Sequence, residues 1–431
     1  MTDPKTTGFH NVACHNATRH KAGRHKKSSH DTSPLSACGD EATCALCRRS
    51  FLRMGAAAAG CACAGWGLPA LGQPKLPYNG PNVIIIRFGG GVRRRETIDP
   101  DHTFAPYTRH ILAPQGTLFT NMQMAEEHGA VPSHGEGTLY ILTGHYEEYK
   151  DIEGRFLGVR YEPKVPTLFE YLRRLYDIAT DEALIINGED RMDEEFYTFS
   201  QHHLFGLDYR AETISLFRFK RWLARQQLKE NRSADEIAEI EARLAELGTV
   251  DYRKTGVAEE TPRLQRFWEE WRKHFGDDGF KNPRGDRLLT ELSIRALRQL
   301  RPRLMMINYQ DPDYVHWGNA SHYTRGITVI DQGIEEIVTA INADPFYSGR
   351  TILALVPDCG RDTNALMDVP YQHHFKSKSS FDIWGLLVGP GINRGQVVDT
   401  PVEQIDMAAT IGQMMGFKTS FGDGTVLEAA L

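Results

Sequence analysis

Between Leu304 and His316 an apolar run, Leu304-Met305-Met306-Ile307, gives way to Asn308, Tyr309 and Gln310 and then to Asp311, Asp313 and His316. Two carboxylates and an imidazole within six residues are a candidate metal-ligand set, and they follow a segment that reads as a buried strand. Asp358 and Cys359 follow a second apolar run, Thr351 to Val356, and His373 and His374 lie in the polar loop before a third, Trp384 to Val388. A single histidine of this kind is ordinarily structural; clusters at several strand ends make a metal site the expectation. Carboxylate, imidazole and thiolate together favour zinc or a similar divalent transition metal over calcium or magnesium, which prefer oxygen alone. The expected ligands are Asp311, Asp313, His316, Asp358, Cys359, His373 and His374, holding one or two ions.

Such groups meet only if the strands before them share a sheet. In an open α/β sheet the ligand crevice lies beyond the carboxyl ends of the strands. Short apolar, β-branched stretches at Asn82 to Ile86, Thr117 to Met122, Ala183 to Asn187, Thr351 to Val356 and Trp384 to Val388 read as further strands. Amphipathic spacing predicts helices over 166–176, 235–247 and 324–341, and one after Tyr107 that the Gly116 break ends. The expected fold is α/β, a mostly parallel central sheet flanked by helices over 78–431, with the charged, helical stretch 190–300 as an insertion or cap.

The first strand runs into Arg87, Phe88 and Gly89-Gly90-Gly91, glycines that allow positive φ or close approach of another group. GxGxxG is absent, so this is not a dinucleotide fingerprint. Arg93, Arg94 and Arg95 fit either a solvated basic turn or, with Arg87, a cradle for an anionic ester, since guanidinium forks match phosphate and sulfate. The stretch GAVPSHGEG places a turn at the N-terminus of a helix ending in Leu142-Thr143-Gly144, a natural anion site. His202-His203 reads as structural.

Up to Gly72 there are nine Lys or Arg and four acids, a net of +5, which leaves −11 of the whole chain's −6 for the remainder. So acidic a body is a poor general nucleic-acid binder, because phosphate attraction needs a basic surface. Arg48-Arg49, then Ser50-Phe51-Leu52 and an Ala/Gly-rich stretch to Gly72, match a twin-arginine signal within a leader over 1–72. The expected destination is the periplasm or cell envelope, reached in folded form. Six of the seven cysteines fall in the leader, leaving Cys359 alone and no internal disulfide framework. Cys61, after Ala-Ala-Gly, is a candidate for lipid attachment. His10, His15, His20, His25 and His30 recur every five residues, as a metal-binding leader or a disordered tail. No apolar stretch in the body is long enough to span a bilayer.

In order along the chain, NVIIIRFGG, GTLFTNM with YILTGHY, the 311–316 stretch, PDCGRD, His373-His374 before LLVGPGI, and VEQIDMAATIGQMMGF together resemble the alkaline phosphatase superfamily of phosphatases, sulfatases and nucleotide phosphodiesterases. The last segment is similar to the family's closing helix, which usually reads close to VDIAPTILDLLG. PDCGRD also resembles a DFGR-like motif of an uncharacterised, commonly twin-arginine-exported branch. The resemblance implies two metal sites on strand ends. One takes an Asp, a His four residues on and a distant His, corresponding to Asp313 or Asp311, His316, and His374 or His373; the intervals here are three and five. The other takes a first-strand Asp, the nucleophile and an Asp-His pair. Asp358 matches that Asp, Cys359 stands for the His, and Gly89 stands for the first-strand Asp.

The family's Thr, Ser or Cys nucleophile heads the helix before the LTG turn. Counting back reaches His134 or Ala130, with Ser133 the nearest hydroxyl and Thr138 next. The resemblance therefore implies hydrolysis of phosphate or sulfate esters, with Ser133 as nucleophile or His134 as general base toward metal-activated water, and Arg87, Arg93 and Arg94 meeting a small anionic substrate. The alternative is a degenerate member acting as an exported binding or scaffold protein.

Overall fold

The protein is described here from a computed structural model covering residues 74–146, 163–187, 205–249, 260–279, 285–316, 319–363, 372–373 and 376–431. The leader, His202-His203 and His374 lie outside the described residues. Strand β1 (Asn82–Phe88) is buried along its whole length because apolar residues face both sides. Val83 and Ile85 enter one core, while Ile84, Ile86 and Phe88 enter the other. This alternation is the pattern of a strand covered on both faces.

The remaining strands are β2 (Gly116–Gln123), β3 (Ala183–Asn187), β4 (Glu212–Ile214), β5 (Leu304–Asn308), β6 (Thr351–Pro357), β7 (Asp382–Val388), β8 (Gln396–Val398) and β9 (Val402–Glu403). Their order is β4-β3-β5-β1-β6-β7-β2-β8, with β9 also on β2. All pairs are parallel except those β7 makes with β6 and β2. Asn187, Asn308 and Arg87 stand in register, so β3, β5 and β1 end level with one another, and Phe88 pairs with Pro357 of β6. The loops after β1, β5 and β6 therefore leave one edge of the sheet side by side. That edge is where the sequence places its polar clusters.

Among the described residues, the helices of eight residues or more are α1 (His134–Thr143), α2 (Leu168–Leu175), α3 (Leu216–Gln227), α4 (Ala234–Thr249), α5 (Pro262–Phe275), α6 (Asp286–Leu300), α7 (Ala320–Ala343) and α8 (Asp406–Met414). α1, α2 and α8 cover one face; α6 and α7 cover the other. The segment after Tyr107 is a π-helical turn, Tyr107–Leu112, ahead of β2. The stretch 190–300 is not a purely helical cap: β4 extends the sheet beside β3, and α6 belongs to the main core. α3 and α5 pack through Phe219, Trp222, Phe267, Trp268 and Trp271. Among the described residues, no helix is long and apolar enough to cross a membrane.

Candidate metal centre

The end of β1 is held flat against the chain after β5. A Cβ on Gly89 would lie 1.9 Å from the Tyr309 carbonyl oxygen, and one on Gly90 would lie 2.5 Å from Asp313 N. Gly90 and Gly91 adopt φ of 85° and 67°, which turns their N–H groups toward the end of β6. There they donate to Asp358, Gly90 N to Oδ2 at 3.2 Å and Gly91 N to Oδ1 at 3.1 Å, and Cys359 N adds a bond to Oδ1 at 2.8 Å. Arg87 stands behind, Nη1 3.7 Å from Asp358 Oδ2, anchored on Thr138 Oγ1 at 2.8 Å and the Tyr309 carbonyl at 3.2 Å.

From the opposite face comes the N-terminus of α1. Ser133 caps it, accepting from Glu136 N and donating to the Glu136 carboxylate. Gly137 lets the helix come close, since a Cβ there would sit 1.9 Å from the Asp358 carbonyl oxygen. His134, the first helical residue, thereby enters between two carboxylates. Its Nδ1 is 2.8 Å from Asp358 Oδ2 and its Nε2 is 2.7 Å from Asp313 Oδ1.

Asp313 belongs to a 3₁₀ turn, Asp311–Val315, with His316 as its C-terminal cap. Side chains three apart eclipse in a 3₁₀ turn, whereas those two apart point to different sides. His316 Nε2 accordingly lies 2.5 Å from Asp313 Oδ1, and the interval of three is the right one here. Asp311 faces away: it accepts from Asp286 N at 3.1 Å while its own N–H donates to Asp286 Oδ2 at 2.7 Å, a reciprocal cap on α6. The geometry thus corrects the pairing of Asp311 with the cluster and selects Asp313.

His373 completes the group with Nε2 3.9 Å from Asp313 Oδ1. Its Nδ1 lies 3.2 Å from the Pro132 carbonyl, which can only accept, so Nδ1 carries the hydrogen and Nε2 presents a lone pair. His316 is set the same way: Gln372 Nε2 donates to the His316 carbonyl, leaving Gln372 Oε1 to accept from His316 Nδ1 at 2.6 Å. Outer hydrogen bonds of this kind orient metal-ligating histidines, and a cation among Asp313 and the two Nε2 atoms would match their placement. Ligand atoms of His134, Asp313, His316 and His373 all lie within 4.8 Å of one another. The donor set of Asp313, His316 and His373 therefore fits zinc or a similar divalent ion.

The second group, His134, Asp358 and Cys359, also lies within 4.8 Å. It fits a metal less well. Burial and the neighbouring Asp358 push the Cys359 thiol up to about 11 in the metal-free protein, so an ion here would have to displace that proton. Burial would raise Asp358, but His134, Arg87 and the Gly91 N–H outweigh it and hold the carboxyl at about 2. Asp313 lies well below the usual carboxylate range, burial again being outweighed by His134, through its charge and its hydrogen bond, with the imidazoles of His316 and His373 adding to the effect. Burial works against a charge on His134, yet Asp313 and Asp358 raise it well above the ordinary histidine value. Exposure is graded: Asp358 and His373 form the floor at 0% and 1%, while Asp313, His134 and His316 reach solvent at 13%, 18% and 19%.

The arginines do not form the expected cradle. Arg87 is buried and engaged with Thr138, Tyr309 and Asp358. Arg93 forks onto Glu96 with two bonds of 2.7 Å, and Arg94 donates to the carbonyls of Ile383 at 2.7 Å and Met122 at 2.6 Å. Ser133 serves as a helix cap instead of standing ready as a nucleophile. Two contributors were not foreseen. Gln372 orients His316, and Arg361 ties the ligand loops together through the carbonyls of Gly91 at 2.7 Å, Pro312 at 2.9 Å and Gly90. The PDCGRD motif contained Arg361, but nothing in its spacing signalled that role.

No protein-family model and no curated protein matches the chain. Solved structures similar to it include the 2-O GAG sulfatase BT1596, at 12% identity over 81% of this chain and 74% of that one, TM-score 0.47. Another is a protein in the alkaline phosphatase superfamily from Vibrio parahaemolyticus, at 13% identity over 82% and 71%, TM-score 0.47. A third is the lipoteichoic acid synthase LtaP from Listeria monocytogenes, at 11% identity over 81% and 74%, TM-score 0.46. Likeness at this level shows the fold alone.

Proposed function

We propose that the chain is an exported, metal-dependent hydrolase of phosphate or sulfate esters that works without a covalent enzyme intermediate. The observation that carries this reading is His134, fixed by Asp358 at Nδ1 and offering Nε2 beside Asp313 on the solvent side of the cluster. Asp313, His316 and His373 would hold zinc or a similar ion, which supplies Lewis-acid polarisation of the ester and of water. Between two bare carboxylates His134 is held protonated; a cation on Asp313 would offset the charge that raises it, and His134 Nε2 would then take the proton of the attacking water as general base. The water oxygen bonds to phosphorus or sulfur, the ester P–O or S–O bond breaks, and the leaving alkoxide recovers the proton from His134. Ionised Asp358 stabilises the imidazolium between those transfers, as carboxylate–histidine pairs do. Export to the periplasm or cell envelope rests on the Arg48-Arg49 leader.

The competing reading, an exported binding or scaffold protein with a degenerate site, is favoured by the engagement of Ser133 as a cap and by Gly89 in place of a ligand. Turnover separates the two. The purified full chain, supplied with zinc or manganese, should hydrolyse p-nitrophenyl phosphate or sulfate. His134→Ala should lose about 10²–10⁴-fold in kcat with metal content unchanged. Stoichiometric metal and ester binding without turnover would establish the binding protein instead.

A further inference from the structure

We infer that the loaded protein holds a single ion, on Asp313, His316 and His373, and that Asp358 is a positioning residue for His134 and not a second metal's ligand. This rests on the metal-dependent reading above and narrows it. An ionised carboxylate offers about four acceptor directions. At Asp358 three are taken by backbone N–H groups, Gly90 at 3.2 Å, Gly91 at 3.1 Å and Cys359 at 2.8 Å, and the fourth by His134 Nδ1 at 2.8 Å. The three N–H donors are set by glycine backbone at positive φ and by the chain's own turn, so they cannot rotate away as side chains can.

The surroundings already supply the positive charge that a second ion would bring. Arg87 lies 3.7 Å from Asp358 Oδ2, and both side chains are buried, at 2% and 0% exposure. No ligand can stand at position 89, because a Cβ on Gly89 would meet the Tyr309 carbonyl oxygen at 1.9 Å. Among the described residues that leaves Cys359, whose Sγ is 3.9 Å from His134 Nδ1 on the buried side. Glycine N–H groups, an arginine and a histidine have taken over the charge balance of one half of the centre. What remains there is a carboxylate dedicated to aiming an imidazole.

The test is made on the full chain, reconstituted with zinc and, separately, with cobalt(II). One ion per chain by elemental analysis, and a cobalt spectrum lacking the intense near-ultraviolet thiolate band, are the expected results. Asp358→Asn should keep that one ion with affinity within about threefold, while kcat falls about 100-fold or more and the limb of the pH–rate profile belonging to His134 moves. Two ions, a thiolate band, or loss of an ion in Asp358→Asn overturns the inference while leaving a metalloenzyme in place. Absence of any stoichiometric ion overturns the reading beneath it. Should Asp358→Asn fail to fold, stoichiometry and the cobalt spectrum of the unaltered protein still decide.

Discussion

Gly137→Ala is a substitution whose usual sign the site should reverse. Within a helix, replacing glycine by alanine ordinarily stabilises by about 1 kcal/mol. Gly248 of α4 is such a place, exposed, with nothing within 4 Å of a new Cβ. At Gly137 the same methyl would lie 1.9 Å from the Asp358 carbonyl oxygen and 2.7 Å from its carbon. Both are backbone atoms of the buried strand end, so relief requires α1 to back away by more than about 1 Å to reach ordinary contact. Overpacking of that kind costs about 1–3 kcal/mol, which exceeds the propensity gain. The same displacement stretches the 2.8 Å bond from His134 to Asp358. Urea unfolding of the metal-free chain should show Gly137→Ala destabilised by about 1–2 kcal/mol and Gly248→Ala neutral or stabilised. Esterase activity should drop at Gly137 alone. Equal, favourable shifts at both positions would refute the close approach of helix to strand end, and with it the placement of His134.

Asp313→Asn should abolish tight zinc binding while Asp311→Asn leaves it within about threefold, as read by competition with a chromogenic chelator; the reverse order would mean that the 3₁₀ turn faces the other way. In the metal-free protein the Asp358 carboxyl sits at about 2 against an ordinary 3.8. A depressed folded value gives stability that is present above the ordinary value and lost as pH falls toward 2. At about 1.4 kcal/mol per pKa unit it amounts to roughly 2.5 kcal/mol, part of which persists until pH falls below 2, so the stability gap between wild type and Asp358→Asn should narrow by about 1.6 kcal/mol between pH 6 and pH 2.5. Arg361→Lys keeps the charge but loses the fork joining the Gly90-Gly91 loop to the Pro312 turn. Zinc affinity should fall about 10–100-fold by chelator competition. A lowered Tm with affinity intact would make Arg361 a general packing residue.

Much of this was legible in the sequence because strand ends are conspicuous. Apolar runs that stop abruptly at polar residues located β5 and β6 and, just beyond them, Asp313, His316 and Asp358, while β1 was marked by its glycine run and His373 by the polar loop before β7. Local geometry was harder to read. Asp311 and Asp313 are equivalent as letters, and only the 3₁₀ turn with α6 beside it separates them. The arginines misled for a similar reason: Arg93 and Arg94 are spent on Glu96 and on the carbonyls of Ile383 and Met122, one local partner and two distant ones. Gly89 looked like a missing ligand, whereas the Tyr309 carbonyl, from a strand far along the chain, explains why nothing larger fits. Close approach between remote backbones leaves no periodicity to detect.

The distances along the chain between the groups that meet at Asp313 and Asp358 have a consequence for assembly. His134 is separated from Asp313 by 179 residues and from Asp358 by 224. Short-range zinc modules use the ion to drive their folding. Here the groups stand on loops that come together only in the assembled sheet, so an ion would enter a finished scaffold. Chelation should therefore yield an empty protein that keeps its secondary structure and can be refilled with a different metal. That makes the identity of the ion a matter of supply and order of loading, open to exchange on the bench without a refolding step.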